Sequence, residues 1–190
     1  MLNDLRFQLA KFNASTEDLD ALAASIRQLD ELFLLVIVGE FNAGKSAFIN
    51  ALLGQALLKE GVTPTTTQIT ILQFGEEVKR QPLDHNQSLL NLPADFLQEI
   101  SIVDTPGTNT IIREHEALTS QFVPRADLIL FVTSADRPFT ESERAFLEKL
   151  RNWGKKVVIV LNKIDILQND DELDQIAKFI LENSKYLLGM

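Results

Sequence analysis

The chain has 190 residues, 45% of them apolar, and a formal net charge of −9. That length suits one domain with a sizeable core and room for an added helical arm, and the acidic balance without any basic block argues against nucleic acid as a partner. The absence of cysteine excludes disulfides, cysteine zinc sites and cysteine nucleophiles. The two histidines, His85 and His115, lack ligand spacing and read as solvated polar residues.

The opening stretch, MLNDLRFQLAKFNAS, carries an acid early and no long apolar core, so it does not read as a secretory signal. The longest apolar run, Leu32 to Val38, is about a third of a membrane span. A soluble, cytoplasmic chain is expected. Residues 1–31 read as a helical arm: Ser15 with Asp18 resembles a capping box, and Leu19, Leu22, Ala23, Ile26 and Leu29 share one face.

From residue 32 the pattern changes. LFLLVIV is continuously apolar, as expected of a strand buried on both faces. A helix is expected from Lys45 to Leu53, then strands at TQITILQF, EISIVD, DLILFVT and KVVIVLN. Helices are expected near 113–123, at 140–152 behind a Thr140/Glu143 capping box, and over DELDQIAKFILENSKYLLGM at the end. Strands alternating with helices predict an α/β, doubly wound, mostly parallel sheet, with ligands at the carboxyl ends of its strands. The stretch 76–96, EEVKRQPLDHNQSLLNLPADF, reads as a surface insertion without legible chemistry.

The chemistry concentrates at strand ends. GEFNAGKS, Gly39 to Ser46, fits G-x-x-x-x-G-K-[ST] between a buried strand and a helix. Bare glycines let the backbone wrap phosphate oxygens, and the amides of Asn42, Ala43, Gly44 and Ala47 with the helix N-terminus supply positive potential. Lys45 is the candidate for the β- and γ-phosphates and Ser46 for Mg²⁺. In VDTPG, Asp104 is placed to hold Mg²⁺ through water and the Gly107 amide to meet a γ-phosphate. LNKID supplies Asn162, Lys163 and Asp165. The Asp165 carboxylate can accept from guanine N1–H and the exocyclic amine, a pair that adenine does not offer. The set therefore points to GTP and GDP as ligands. Among Thr65, Thr66 and Thr67, spacing to the next strand favours Thr66 for closing on the γ-phosphate and metal, with Thr67 second.

With GEFNAGKSAFINALLG, PTTT, DTPG and ADLILFVTSADRPFTESERAFL on the page, the chain resembles the GTPase domain of bacterial dynamin-like proteins, in the mitofusin-like branch of cyanobacteria and chloroplasts. The likeness runs over most of residues 15–190. It implies a P-loop GTPase fold that dimerises across its nucleotide face and remodels membranes, with the N-terminal helices in a neck bundle. It divides the chain into an arm at 1–31 and a GTPase domain at 32–190 that lacks the family's last strand, base-contacting loop and helical stalk. Membrane contact would use those absent regions, making the full-length protein peripheral to a membrane. Ala47 stands where the family often has threonine.

Hydrolysis needs a positioned water and neutralisation of charge on the β–γ bridge. Small GTPases often place a glutamine after D-x-x-G; here that position is Thr108, and no internal arginine finger is evident. Asn42 resembles the loop asparagine of K⁺-using GTPases and could hold a monovalent cation there, making it a catalytic candidate beside Lys45 and Thr66; the alternative is a hydrogen bond within the loop. Arg137 and Glu141 read as solvated or capping residues rather than catalytic ones. Two competing functions stay open at the level of sequence: a translation- or tRNA-linked GTPase, and a nucleotide-binding interaction module without turnover.

Overall fold

A computed structural model describes residues 32–58, 68–106 and 122–189. The strands are β1 (Phe33–Val38), β2 (Ile69–Phe74), β3 (Lys79–Pro82), β4 (Gln87–Leu92), β5 (Ile100–Asp104), β6 (Leu128–Ser134) and β7 (Val157–Asn162). The helices are α1 (Lys45–Leu53), α2 (Glu141–Asn152) and α3 (Asp170–Leu188), with short 3-10 turns at Asp95–Gln98 and Ile164–Ile166. The expected arm at 1–31 with its capping box, most of the expected helix near 113–123, Thr65 to Thr67 and Gly107 lie outside the described residues.

Among the described residues the strands form one sheet in the order β3-β4-β2-β5-β1-β6-β7. β1–β6, β6–β7 and β2–β4 pair in parallel; β2–β5 and β3–β4 pair antiparallel. The expected doubly wound sheet is thus present, and its inner strands explain why LFLLVIV does not alternate. Val36 and Val38 pack on one face with Phe131, Phe146, Leu147 and Leu150, while Leu35 and Ile37 pack on the other with Ile49, Leu53 and Ile102. Both faces of β1 are core, so every residue from Leu35 to Val38 is apolar and buried.

The stretch 76–96 corrects the reading of an insertion. It folds as the β3–β4 hairpin and extends the sheet beyond β2, with Thr70 opposite Ser88 and Phe74 opposite Leu92. Ser88, Leu90 and Leu92 turn inward at period two. Ser88 is tolerated inside because its hydroxyl lies 3.3 Å from that of Thr70 and accepts from Arg80 at 3.3 Å.

α2 begins as the sequence indicates. Thr140 accepts the Glu143 amide, and the Glu143 carboxylate accepts the Thr140 amide at 3.2 Å, closing the capping box. α3 starts on Asn169, whose side chain accepts the Glu172 amide at 2.9 Å, and ends on Gly189 in the left-handed region.

Candidate nucleotide site

The site is built where β1, β5, β6 and β7 end. β1 runs into the loop of residues 39–44, and α1 starts at Lys45. Gly39 is required by contact: a Cβ there would sit 2.1 Å from the Val132 carbonyl oxygen of β6. Gly44 is required by conformation, at φ 89 and ψ 27, and a Cβ there would meet Asn162 Nδ2 at 2.2 Å. Between them the Ala43 amide donates to the Glu40 carbonyl at 3.2 Å, closing a tight turn in which Asn42 stands at φ 62 with its residue surface exposed. Asparagine enters the left-handed region more easily than most residues. The turn therefore supplies a backbone reason for Asn42 that the sequence pattern alone does not reveal.

Lys45 is buried at 7% exposure. Its Nζ donates to the Gly39 carbonyl at 3.1 Å and the Glu40 carbonyl at 3.0 Å. Burial depresses its pKa from 10.5 to about 8, against the opposing pull of Asp104, Glu143 and Glu40. Across the floor, Ser46 Oγ donates to Asp104 Oδ2 at 3.3 Å. Asp104 is 1% exposed, and burial pushes its carboxyl up to about 6 despite the nearby Lys45 charge. Its Oδ1 is buried and carries no hydrogen bond among the described residues. A hydroxyl and an orphaned carboxylate oxygen side by side form the hard oxygen donor set that Mg²⁺ prefers, so these residues fit the metal. Beneath them Thr105 Oγ1 donates to the Ile37 carbonyl at 2.8 Å, tying the end of β5 to β1.

The third motif braces the first. β7 pairs with β6 so that Asn162 lies opposite Ser134. Asn162 Nδ2 donates to the Ala43 carbonyl at 3.0 Å and the Gly44 carbonyl at 3.3 Å. Lys163 follows at φ 57 and lines one cleft with Asn42, Ala43, Asp136 and Arg137. Asp165 is exposed in the 3-10 turn Ile164–Ile166. Asp136 is held below the usual carboxylate range, first by the Ser134 hydroxyl and further by the Lys163 and Arg137 charges. Arg137 Nε lies 3.6 Å from Asp136 with its side chain 78% exposed, and Glu141 sits in the first turn of α2.

The structure thus brings together Gly39, Asn42, Ala43, Gly44, Lys45, Ser46, Ala47, Asp104, Asn162, Lys163 and Asp165 at one end of the sheet. Thr66 and Gly107 lie outside the described residues. Sequence reasoning missed two further residues. Asn50 is buried on α1, donates to the Leu58 carbonyl at 2.8 Å, and accepts from the Leu57 and Leu58 amides at 3.0 and 2.8 Å. A lone asparagine inside FINALL was its only signal. Glu40, bonded to Thr140 and Ser142, gave none.

A sequence model for the family described as 50S ribosome-binding GTPase matches residues 34–163, from β1 to the end of the Asn162-Lys163 pair. The chain belongs to that family. It is a GTPase and binds guanine nucleotide. This GTPase is 50% identical over 178 residues to the probable transmembrane GTPase FZO-like, chloroplastic, of Arabidopsis thaliana, covering 91% of this chain and 20% of that protein. It is 28% identical over 189 residues to the bacterial dynamin-like protein of Nostoc punctiforme, covering 78% of this chain and 27% of that one. The chain therefore spans about a quarter or less of these relatives. A bacterial dynamin from a solved oligomerised pair, described as sensing and tethering membranes at long range, superposes with a TM-score of 0.72 at 22% identity. That match covers 98% of this chain and 35% of the other, and it shows the fold. The expected likeness to dynamin-like GTPases is borne out, and the translation-linked reading has the weaker support. Among the described residues no helix is long and apolar enough to cross a membrane.

Proposed function

We propose that this GTPase is the nucleotide-driven domain of a dynamin-like membrane-remodelling protein, that it turns over as a dimer across its nucleotide face, and that Asn42 recruits K⁺ to the phosphates. The observation that carries the reading is the 50% identity over 91% of the chain to an FZO-like GTPase.

In this reading the loop amides and the start of α1 cradle the phosphates, Lys45 exchanges its two carbonyl partners for β- and γ-phosphate oxygens, and the Gly107 amide meets the γ-phosphate. Ser46 and Thr66, with Asp104 through water, would hold Mg²⁺, which would supply charge neutralisation at the phosphates when bound. Asp165 accepts from guanine N1–H and the exocyclic amine, Lys163 packs its stem beside the ring, and Asn162 keeps the phosphate loop in register with the base. Asn42 stands exposed at the loop's crest, where a side-chain oxygen can add a monovalent cation. No arginine takes that place within the chain's own loop.

The test is phosphate release from GTP in KCl and in NaCl over a series of protein concentrations. Turnover should require K⁺, and specific activity should rise with concentration. Asn42→Gly is the decisive variant, because glycine keeps the left-handed turn and removes only the amide. A loss of roughly 10²–10³ in rate is expected for removing a preorganised stabiliser; full K⁺-dependent turnover in that variant sinks the cation role. Activity strictly proportional to concentration sinks the dimer. For the membrane role, this chain replaces the matching domain of the FZO-like protein, and membrane morphology is scored. A chimera that hydrolyses GTP yet restores nothing counts against it.

A further inference from the structure

Phosphate binding gives no reason for a carboxylate at the second position of the loop, yet Glu40 stands there. Its Oε1 accepts from Thr140 Oγ1 at 2.5 Å and from Ser142 Oγ, at sequence separations of 100 and 102. Those hydroxyls lie 3.2 Å from each other, and Thr140 Oγ1 also accepts the Glu143 amide at 3.3 Å. Glu143, 2% exposed, accepts in turn from Thr133 Oγ1 at 3.0 Å. One hydrogen-bonded cluster therefore joins the phosphate loop, the end of β6 and the N-terminus of α2. The N-terminus of α2 attracts negative charge, acting against the repulsion between the Glu40 and Glu143 carboxylates.

The backbone of the same residue does different work. The Glu40 carbonyl accepts both Lys45 Nζ and the Ala43 amide. Fixing the Glu40 side chain thus fixes the first residue of the turn that presents Asn42. We propose that Glu40 is a positioning residue for GTP hydrolysis: through Thr140 and Ser142 it locks the Glu40–Ala43 turn to α2, so that the segment 135–143 sets where the crest of the phosphate loop stands. This rests on reading residues 39–46 as the phosphate loop. The α1 end of that loop keeps its own brace from Asn162, so loss of the lock falls on turnover rather than on holding a diphosphate.

The experiment uses the full chain with Glu40→Ala, Glu40→Gln, the pair Thr140→Val with Ser142→Ala, the exposed-site variant Ser142→Ala alone, and Glu40→Ala combined with the pair. Turnover of GTP and affinity for a fluorescent GDP are measured for each. Glu40→Ala and the pair should each lower kcat about tenfold to a hundredfold, the range for hydrogen bonds to a charged group, with GDP affinity changed less than about threefold. Ser142→Ala alone should lower kcat by less than the pair, which keeps the test alive if a larger change fails to fold. Glu40→Gln should recover most of the rate, because its Oε1 still accepts both hydroxyls. The combined variant should be no slower than Glu40→Ala, the signature of one shared interaction. Additive losses, equal losses in kcat and GDP affinity, or no rescue by glutamine overturn the lock. Lys45→Ala separates the two readings: if it hydrolyses GTP at the parent rate, the phosphate-loop reading itself fails, whereas an inactive Lys45→Ala beside an unaffected Glu40→Ala removes the lock alone.

Discussion

Replacing Lys45 by methionine should make the nucleotide-free protein more stable while removing its ability to bind GTP. The ammonium is held in a place that suits a phosphate and does not suit an empty site. Its pKa falls from 10.5 to about 8 on burial, and at 1.36 kcal/mol per tenfold this is a folding penalty of about 3 kcal/mol. The folded chain holds fewer protons than the unfolded chain between about 8 and 10.5, so this group's contribution to stability rises with pH across that window; below pH 8 the whole penalty is present. Methionine keeps the apolar stem in place. It forfeits the bonds to the Gly39 and Glu40 carbonyls and removes the positive charge that most favours the Asp104 carboxylate. The expected net gain is about 1–2 kcal/mol at pH 7, or roughly 2–8 °C in Tm for a chain of this size. Urea unfolding followed by circular dichroism, without nucleotide, at pH 7 and again near pH 10 reads it directly. The advantage should shrink at the higher pH, and GTP titration should find affinity reduced at least a hundredfold. A methionine variant less stable than its parent at pH 7, or an advantage that does not change with pH, refutes the reasoning.

Other groups make separable predictions. Burial pushes the Asp104 carboxyl up to about 6, so protons compete with Mg²⁺ below that pH; apparent Mg²⁺ affinity with GDP bound should fall about tenfold per pH unit below 6, and a flat profile to pH 5 argues against Asp104 as part of the metal site. Gly39→Ala puts a methyl 2.1 Å from the Val132 carbonyl oxygen and should cost roughly 3 kcal/mol or more by urea midpoint. Asn50→Ala strands the buried Leu58 amide and carbonyl and leaves the Leu57 amide with the Gln55 carbonyl alone, with an expected cost of about 2–3 kcal/mol; a midpoint within error of the parent contradicts that account.

Legibility followed sequence separation. α1 was readable because the phosphate-loop glycines and Lys45 are local signals, and the observed span Lys45–Leu53 is the expected one. β1, β5 and β6 were readable as the apolar runs of inner strands, β2 by its β-branched content, and β7, though last in the sheet order, because VVIVL is apolar throughout. The β3–β4 hairpin was hidden because KRQP ends in proline and lies at the sheet edge, where neither apolar content nor β-branching is demanded. In β4 the inward period is masked by Ser88, whose burial is offset by a partner on another strand. Within the site, Ser46, Asp104 and Asn162 were recognisable by motif, whereas Glu40 was not, because its partners lie about a hundred residues away and share no pattern with it. The left-handed conformation of Asn42 was also invisible, since asparagine at a loop crest suits both a turn and a ligand.

The brace at Asn162 and the lock at Glu40 grip the phosphate loop at opposite ends, yet both trace back to adjacent rungs of β6 and β7: Asn162 lies opposite Ser134, and Thr133, which donates to Glu143, lies opposite Leu161. Ser134 pairs with Asn162, and the Ala135 amide donates to the Asn162 carbonyl at 2.9 Å. A loop clamped at two points on one rigid support is carried along when that support shifts, keeping its internal shape. Displacement of the β6–β7 tips would therefore move the phosphate cradle as a unit toward or away from Ser46's partner on β5, opening or closing the metal site without disordering the glycines. Mechanical load on this face would be felt at Asp104 before it was felt in the loop itself.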